Sequence, residues 1–152
     1  MKKFSGKHKE QHLVEPGDIV VAVTDMTREA MIVAQAGRLP RTVNEPAVFS
    51  MDLVKIVPDP KVQPEWVYSL LRFSSFSFDV REHATGTTVL HLKPKYIENW
   101  KSLVPPALMR ELFASTVKPL YAQQDNLDVQ NERLAHARDL LFPRLMSGEL
   151  AV

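Results

Sequence analysis

Large apolar residues recur at every seventh position in the last third of the chain. The series, which we call the heptad stripe, consists of Phe113, Leu120, Leu127, Leu134 and Leu141. A seven-residue repeat sustained over this length is typical of a helix that docks against another helix. Periodicity alone also permits the heptad stripe to pack on the chain's own domain, so both alternatives stay open at this point.

The residues four positions after the stripe residues favour pairing with another helix. Three of these four positions are polar, and the set is Val117, Gln124, Asn131 and Arg138. A seam of leucine and polar residues is typical of a helix whose partner and register are specified by buried polar contacts, at some cost in stability. The pattern therefore favours assembly over an ordinary core.

A proline and a glycine mark breaks in the predicted helix. Pro119 lies inside the pattern, and a proline in a helix interior costs roughly 3 kcal/mol because one backbone hydrogen bond is lost. We therefore expect a kink or a restart there, with one short helix before Pro119 and a longer one after it. Gly148 follows the last apolar residues and is expected to end the helix in a left-handed conformation.

Short apolar runs separated by turn signals predict strands in the first part of the chain. Residues 19–23 form a β-branched run short enough for a buried strand. Residues 30–34 are expected to form its hairpin partner. Residues 53–57 alternate apolar and polar positions and predict a third strand, and 81–92 reads as a loop that enters a short strand.

Two further segments predict short helices. Residues 64–73 begin with a proline, which suits the first turn of an amphipathic helix, and the spacing would place Trp66, Leu70 and Phe73 on one side. Residues 93–100 predict another helical turn or two.

The Pro105-Pro106 pair divides the chain into a domain over 1–105 and a C-terminal helix over 106–152. The predicted elements place the chain in the α+β class. We expect a small mixed or antiparallel sheet domain with short helices, followed by the long helix that pairs with another helix.

Composition excludes several classes of function. The 152 residues include no cysteine, which excludes disulfides and thiolate metal sites. No apolar run approaches the roughly 20 residues that span a bilayer, and the basic start lacks an apolar signal-peptide core, so we expect a cytoplasmic protein. The net charge of +1 does not by itself indicate nucleic-acid binding. Any DNA contact must come from a local patch.

Catalytic motifs are incomplete throughout the sequence. Phosphate-loop, methyl-transfer and magnesium-nuclease patterns each lack an essential residue. The sequence therefore predicts a chain that is not an enzyme and that holds no cofactor or metal of its own.

Four short blocks resemble, in order and spacing, the specificity subunit of type I restriction-modification enzymes. They are VEPGDIVVA at 14–22, ATGTTVLHL at 84–92, VPP at 104–106 and RDLLFPRLMSGEL at 138–150. The resemblance extends from about Val14 to the C-terminus, and its last block is the most specific.

This resemblance implies a target-recognition domain followed by a spacer helix. Members of the family typically hold two such domains and two such helices, which pair antiparallel and fix the distance between two half-sites on DNA. The present sequence carries one helix and lacks the usual front half of a recognition domain, so it looks like the C-terminal portion of a specificity subunit.

The implied partners are double-stranded DNA, the modification (methylase) and restriction subunits, and a second copy of the chain through the helix. S-adenosylmethionine, ATP and Mg are then expected only in those partner subunits.

Sequence readout requires side chains that reach base edges and phosphates. The candidates in the loops of the domain are Arg28, Arg38, Arg41, Arg81, Thr87, Thr88 and Lys93. Each has a structural alternative, since a surface arginine is often solvated or salt-bridged and the Thr-Gly-Thr-Thr segment suits a turn. A scaffold that dimerises or binds the methylase without reading DNA is the rival function, and the near-neutral charge favours it.

Overall fold

The computed structural model describes residues 6, 9–27, 29–43 and 47–149. Its strands are β1 Leu13–Val14, β2 Ile19–Ala22, β3 Thr24–Asp25, β4 Ala36–Arg38, β5 Ala47–Val48, β6 Leu53–Ile56 and β7 Leu90–His91. Its helices are a 3-10 turn at Glu10–His12, α1 Pro64–Phe73, α2 Phe76–Arg81, α3 Pro94–Glu98 and α4 Ala107–Met146. Small antiparallel sheets, short helices and one long C-terminal helix confirm the α+β prediction.

The central sheet has three strands in the order β4-β2-β6, and both pairings are antiparallel. Strand β2 takes the middle position because its run of β-branched residues can be covered on both faces. Val21 is fully buried and lies between Ala36 of β4 and Val54 of β6. The predicted strands at 19–23 and 53–57 are therefore confirmed.

The expected hairpin strand at 30–34 is wrong. Ala30 and Ala34 both have positive φ angles, and the carboxylate of Asp25 accepts the backbone N–H groups of Ile32 and Val33. These donors are consequently not available to a strand ladder. The true partner of β2 on that side is β4, which begins two residues beyond the predicted segment.

The hydrophobic core lies between the central sheet and the helices of the domain. Phe76 is fully buried at the start of α2, a helix that the sequence pattern did not predict, and its ring meets Trp100 edge-on at 5.1 Å. Helix α1 is confirmed with its proline in the first turn, but its predicted face is partly wrong. Phe73 is 72% exposed, whereas Leu71 faces the core.

A separate two-stranded ladder joins the segment after α2 to the residues that directly follow β2. Thr24 pairs with His91 and Asp25 with Leu90, and the Leu92 N–H donates to the carbonyl of Val23 at 2.8 Å. The predicted short strand after 81 is therefore present. Its pairing fixes the position of the loop that precedes it.

Helix α4 runs without interruption from Ala107 to Met146, so the predicted division into two helices at Pro119 is wrong. Proline removes the N–H that would bond to the carbonyl of Ser115, but the turns on both sides of it are held by contacts with the domain. Ala114 is buried one turn before the proline and Asp125 is buried after it. These contacts hold helical turns on both sides of the proline against the domain.

The C-terminal end of α4 follows the sequence prediction. Gly148 has a φ of 72°, and its N–H donates to the carbonyl of Leu145 at 3.2 Å. The N–H of Glu149 donates to Arg144 at 3.0 Å, which completes a Schellman motif. In the part of the chain that the structure describes, no helix has the length and apolarity needed to cross a membrane.

Candidate nucleic-acid interface and helix docking face

One face of α4 attaches the helix to the domain. Arg110 lies over the ring of Trp66, with 5.8 Å between the guanidinium carbon and the ring centroid. Further along, the Tyr121 hydroxyl hydrogen-bonds to Ser69 Oγ at 2.6 Å, and the Tyr121 ring meets Tyr68 edge-on at 5.3 Å. The helix is thus held against α1 over its first half.

A buried ion pair between Arg38 and Asp125 closes this contact. Arg38 Nη2 and Nη1 donate to the two carboxylate oxygens at 2.6 and 3.0 Å, and the Arg41 N–H adds a third bond at 2.9 Å. Burial acts to raise the pKa of Asp125, but these hydrogen bonds and the two arginine charges outweigh it. The pKa of Asp125 therefore lies below its ordinary value.

Arg38 is consequently a poor candidate for base readout. Its side chain is only 9% exposed, and its guanidinium also lies 5.8 Å from the ring centroid of Tyr68 and 5.2 Å from that of Tyr121. A base edge could reach this group only if the ion pair and the aromatic packing were broken. The structure gives Arg38 a role in holding α4, which the sequence analysis did not foresee.

Arg41 lies at the surface beside the same junction. Its side chain is 53% exposed, and its Nη2 is 3.3 Å from Glu65 Oε1. An exposed ion pair of this length contributes little to the free energy of folding, and it leaves the guanidinium accessible. Arg41 thus keeps the accessibility that a phosphate contact requires.

Thr87 and Thr88 lie at the tip of an exposed loop. The loop is closed at its base by Thr85 and His91, whose backbone groups exchange hydrogen bonds of 3.0 and 2.8 Å. Gly86 has a φ of 144°, and a Cβ on it would lie 1.9 Å from the carbonyl oxygen of Val89. The Thr-Gly-Thr-Thr segment therefore has a structural role, and it also presents two hydroxyls to solvent.

We expect Gly86→Ala to lower the free energy of unfolding by at least about 2 kcal/mol, because the new Cβ forces the loop open and the φ angle is unfavourable. Urea unfolding followed by circular dichroism measures this loss. Gly37→Ala is the matched control, since its Cβ meets Val20 at an ordinary 3.7 Å. Equal stability of the two variants would contradict the strained geometry at Gly86.

Arg81 and Lys93 flank this loop in the chain. Arg81 closes α2 with its guanidinium 5.3 Å from the ring centroid of Phe78, and Lys93 is the exposed residue that precedes α3. Residues 81–95 contain three lysines and arginines against one carboxylate. The segment is a local basic patch on a chain of nearly neutral charge, and we call it the 81–95 patch.

His83 and Lys95 of the 81–95 patch are not among the candidates that the sequence predicts, but both contact Tyr96. The ring of His83 stacks on Tyr96 with 4.3 Å between centroids, and Lys95 Nζ lies 5.0 Å from the same tyrosine ring. The signal available in the sequence was the interleaving of basic and aromatic residues around Pro94. Among the described residues, no group of three or more histidine, aspartate or glutamate side chains is arranged to hold a metal ion.

Arg28 lies outside the described residues. Asp25 binds described residues before and after that position. The Asp25 carboxylate accepts both the N–H and the hydroxyl of Thr27, at 2.7 and 2.6 Å, in addition to two N–H groups at 32 and 33. Burial acts to raise the pKa of Asp25, yet the hydrogen bonds hold that pKa far below its usual range. Thr27, Ile32 and Val33 are thereby held beside β3.

The heptad stripe is not buried against the chain's own domain. Its five side chains are between 41% and 68% exposed. At about 100° per residue, they lie on average about 140° around the helix from the face that carries Tyr121 and Asp125. No residue of 126–149 is buried. The second half of α4 therefore projects from the domain with an apolar face in solvent.

Two curated proteins resemble the chain. The type I restriction enzyme HindI specificity subunit of Haemophilus influenzae is 26% identical over 108 residues, which are 70% of this chain. The type I restriction enzyme MjaIX specificity subunit of Methanocaldococcus jannaschii is 37% identical over 87 residues, or 57% of this chain. The matched stretches cover 24% and 20% of those two proteins. No protein-family model and no solved structure matches.

Proposed function

Because the chain is a relative of the type I restriction-enzyme specificity subunits, we propose that it is a DNA-recognition element of such an enzyme. In this proposal the domain reads one half-site, and α4 docks onto a second helix and onto the methylase subunits. The observation that carries the proposal is the exposed heptad stripe on a helix that extends beyond its own domain.

The occupant we propose for the heptad stripe is a second copy of this chain. The 40 residues of α4 correspond to about 60 Å, and the domain contacts only the first half. Antiparallel pairing would set the projecting half of each helix against the domain-bound half of the other. A two-fold symmetric pair of this kind covers the whole stripe in both copies.

The chemistry of modification and restriction is assigned to other subunits. We propose that this chain is not catalytic and binds no cofactor, and that adenine methylation with S-adenosylmethionine and DNA translocation with ATP and Mg belong to its partners. The proposed setting is the cytoplasm. The contribution of this chain is then base readout, phosphate positioning and a helical docking surface.

Light scattering tests the assembly part of this proposal. The purified chain is measured alone and after mixing with the methylase subunit of a type I restriction enzyme. A mass of twice the chain, or a stable complex with the methylase, is the expected result. A monomeric mass that does not change when the methylase is added would contradict the proposal.

The rival scaffold function is favoured by the net charge of +1. A salt titration of binding to mixed-sequence duplex DNA separates the two. Affinity of a recognition domain falls steeply as salt rises, because phosphate contacts release counterions, whereas a scaffold binds no DNA at any salt concentration.

We expect Arg81→Gln with Lys93→Gln to weaken DNA binding and to reduce the slope of log affinity against log salt by about 0.9 for each phosphate that the variant no longer neutralises. Fluorescence anisotropy with a labelled duplex measures both quantities. The charge-matched control is Lys118→Gln with Arg133→Gln on α4, both exposed. An identical loss of affinity in the two double variants would mean that the 81–95 patch does not bind the DNA.

A further inference from the structure

Asp125 is the last buried residue of α4. None of the following helical residues up to Met146 is buried. The 21 residues beyond Asp125 correspond to about 32 Å of helix. The direction of this second half of the helix depends on how the helix is held at its last buried residue.

A long helix amplifies small changes at its base. A tilt of about 10° at Asp125 displaces the end of α4 sideways by about 5 to 6 Å, which is more than half of the roughly 8 to 10 Å between the axes of packed helices. A sideways displacement of this size changes how a paired helix and the domain attached to it are placed. The contact at Asp125 must therefore be directional if the free half is to present one surface.

The contacts at Asp125 have this directional character. Arg38 meets the carboxylate with two parallel bonds of 2.6 and 3.0 Å, and the planar fork of a guanidinium allows only a narrow range of orientations. Arg41 adds a backbone N–H at 2.9 Å from a third direction. The rings of Tyr68 and Tyr121 lie beside the guanidinium and limit its movement.

Ion pairs of this kind are poor sources of net stability, because their desolvation offsets much of the attraction. An apolar pair of similar volume would hold the two elements together as firmly, but without a preferred direction. The presence of a charged pair at this position thus indicates a role in orientation.

We propose that Arg38 and Asp125 are positioning residues that set the direction in which α4 leaves the domain. The inference rests on the proposed function, in which two paired helices hold two domains at a fixed separation. The direction set at Asp125 then decides the separation of the two domains and hence the distance between the DNA half-sites that the pair accepts.

Pulsed electron resonance between two spin labels tests this inference within a single chain. The chain contains no cysteine, so labels on Lys61→Cys in the domain and His136→Cys on the free half of α4 are unambiguous. Both positions lie outside the buried core. Labelled protein is diluted into unlabelled protein so that only distances within one chain are measured.

In the Arg38→Met/Asp125→Leu variant we expect the distance distribution to become at least about twofold wider, because the free half magnifies any loosening of the helix at its base. The thermal midpoint should stay within about 4 °C of the parent. Tyr121→Phe is the control: it removes the hydrogen bond to Ser69 but keeps the ion pair. Its distribution should stay as narrow as that of the parent.

A distribution of unchanged width in the apolar double variant would overturn the inference. If that variant does not fold, Arg38→Lys decides the question, since lysine keeps the charge and loses the two-pronged geometry. We expect the distance distribution of Arg38→Lys to be wider than that of the parent. An unchanged width would overturn the inference. A monomeric mass together with the absence of DNA binding would contradict the proposed function. These measurements do not depend on the distance distribution, so the two failures can be distinguished.

Discussion

Replacing Leu127 and Leu134 with aspartate is expected to convert the proposed dimer into a monomer. Both leucines are about half or more exposed in the isolated chain, so the domain itself should remain folded. In a symmetric pair four leucines leave the interface, and each buried leucine contributes about 1.5 to 3 kcal/mol. The dissociation constant should rise by more than about a thousandfold, as measured by light scattering over a dilution series.

The control for this change adds the same charges elsewhere on the helix. Asn126→Asp with His136→Asp places two carboxylates on exposed positions outside the heptad stripe. This variant should keep the mass of the parent, and both variants should show the circular dichroism of a folded domain. If the leucine variant kept the parent mass, the heptad stripe would not be a pairing surface.

Local sequence patterns are sufficient to predict elements that are strongly periodic or that depend on residues close in sequence. The β-branched run that becomes β2 is buried because every position in it is apolar or small. The end of α4 was predictable from Gly148, since glycine favours the left-handed conformation that the Schellman motif requires. Helix α1 was recognised from its initial proline, although the rotation of its apolar face was not.

The errors arose where distant side chains decide the backbone. The sequence of 30–34 is typical of a strand, but two of its backbone N–H groups, those of Ile32 and Val33, donate to the Asp25 carboxylate. The segment therefore forms a loop. Pro119 looks like a helix break, but the domain holds the turns on both sides of it. In both cases a tertiary contact outweighs the local preference.

The Arg38–Asp125 pair was the hardest feature to foresee. The two residues are separated by 87 positions, and no pattern in the sequence marks them as partners. Arg38 looks like a surface arginine in a loop, which is the usual appearance of a DNA-reading side chain. Its burial could be recognised only when α4 was placed against the edge of the sheet that carries β4.

Asp125→Ala is expected to lower the free energy of unfolding by about 3 to 5 kcal/mol. The change leaves Arg38 as an uncompensated buried charge, and its Nε already has no hydrogen-bond partner. The Arg41 N–H loses its acceptor as well. Urea unfolding at neutral pH and at one fixed protein concentration measures the loss.

The difference in free energy of unfolding between the parent and Asp125→Ala should become smaller as pH falls. Since the folded-state pKa of Asp125 is lowered, its contribution is complete above the unfolded-state pKa of about 3.9 and is lost as pH falls through the folded-state value. The two stabilities should therefore converge as pH is lowered below about 4. Asp25 also has a lowered pKa, but it is present in both proteins and cancels.

Asp128→Ala provides the matched control, because Asp128 lies one turn further along α4 and is exposed. Its effect should stay within about 0.5 kcal/mol at every pH. A loss for Asp125→Ala no larger than that of Asp128→Ala would mean that α4 is held by the apolar and aromatic contacts around Tyr121 alone. A loss that stayed constant from neutral to acidic pH would instead show that the carboxylate charge of Asp125 does not provide the stabilisation.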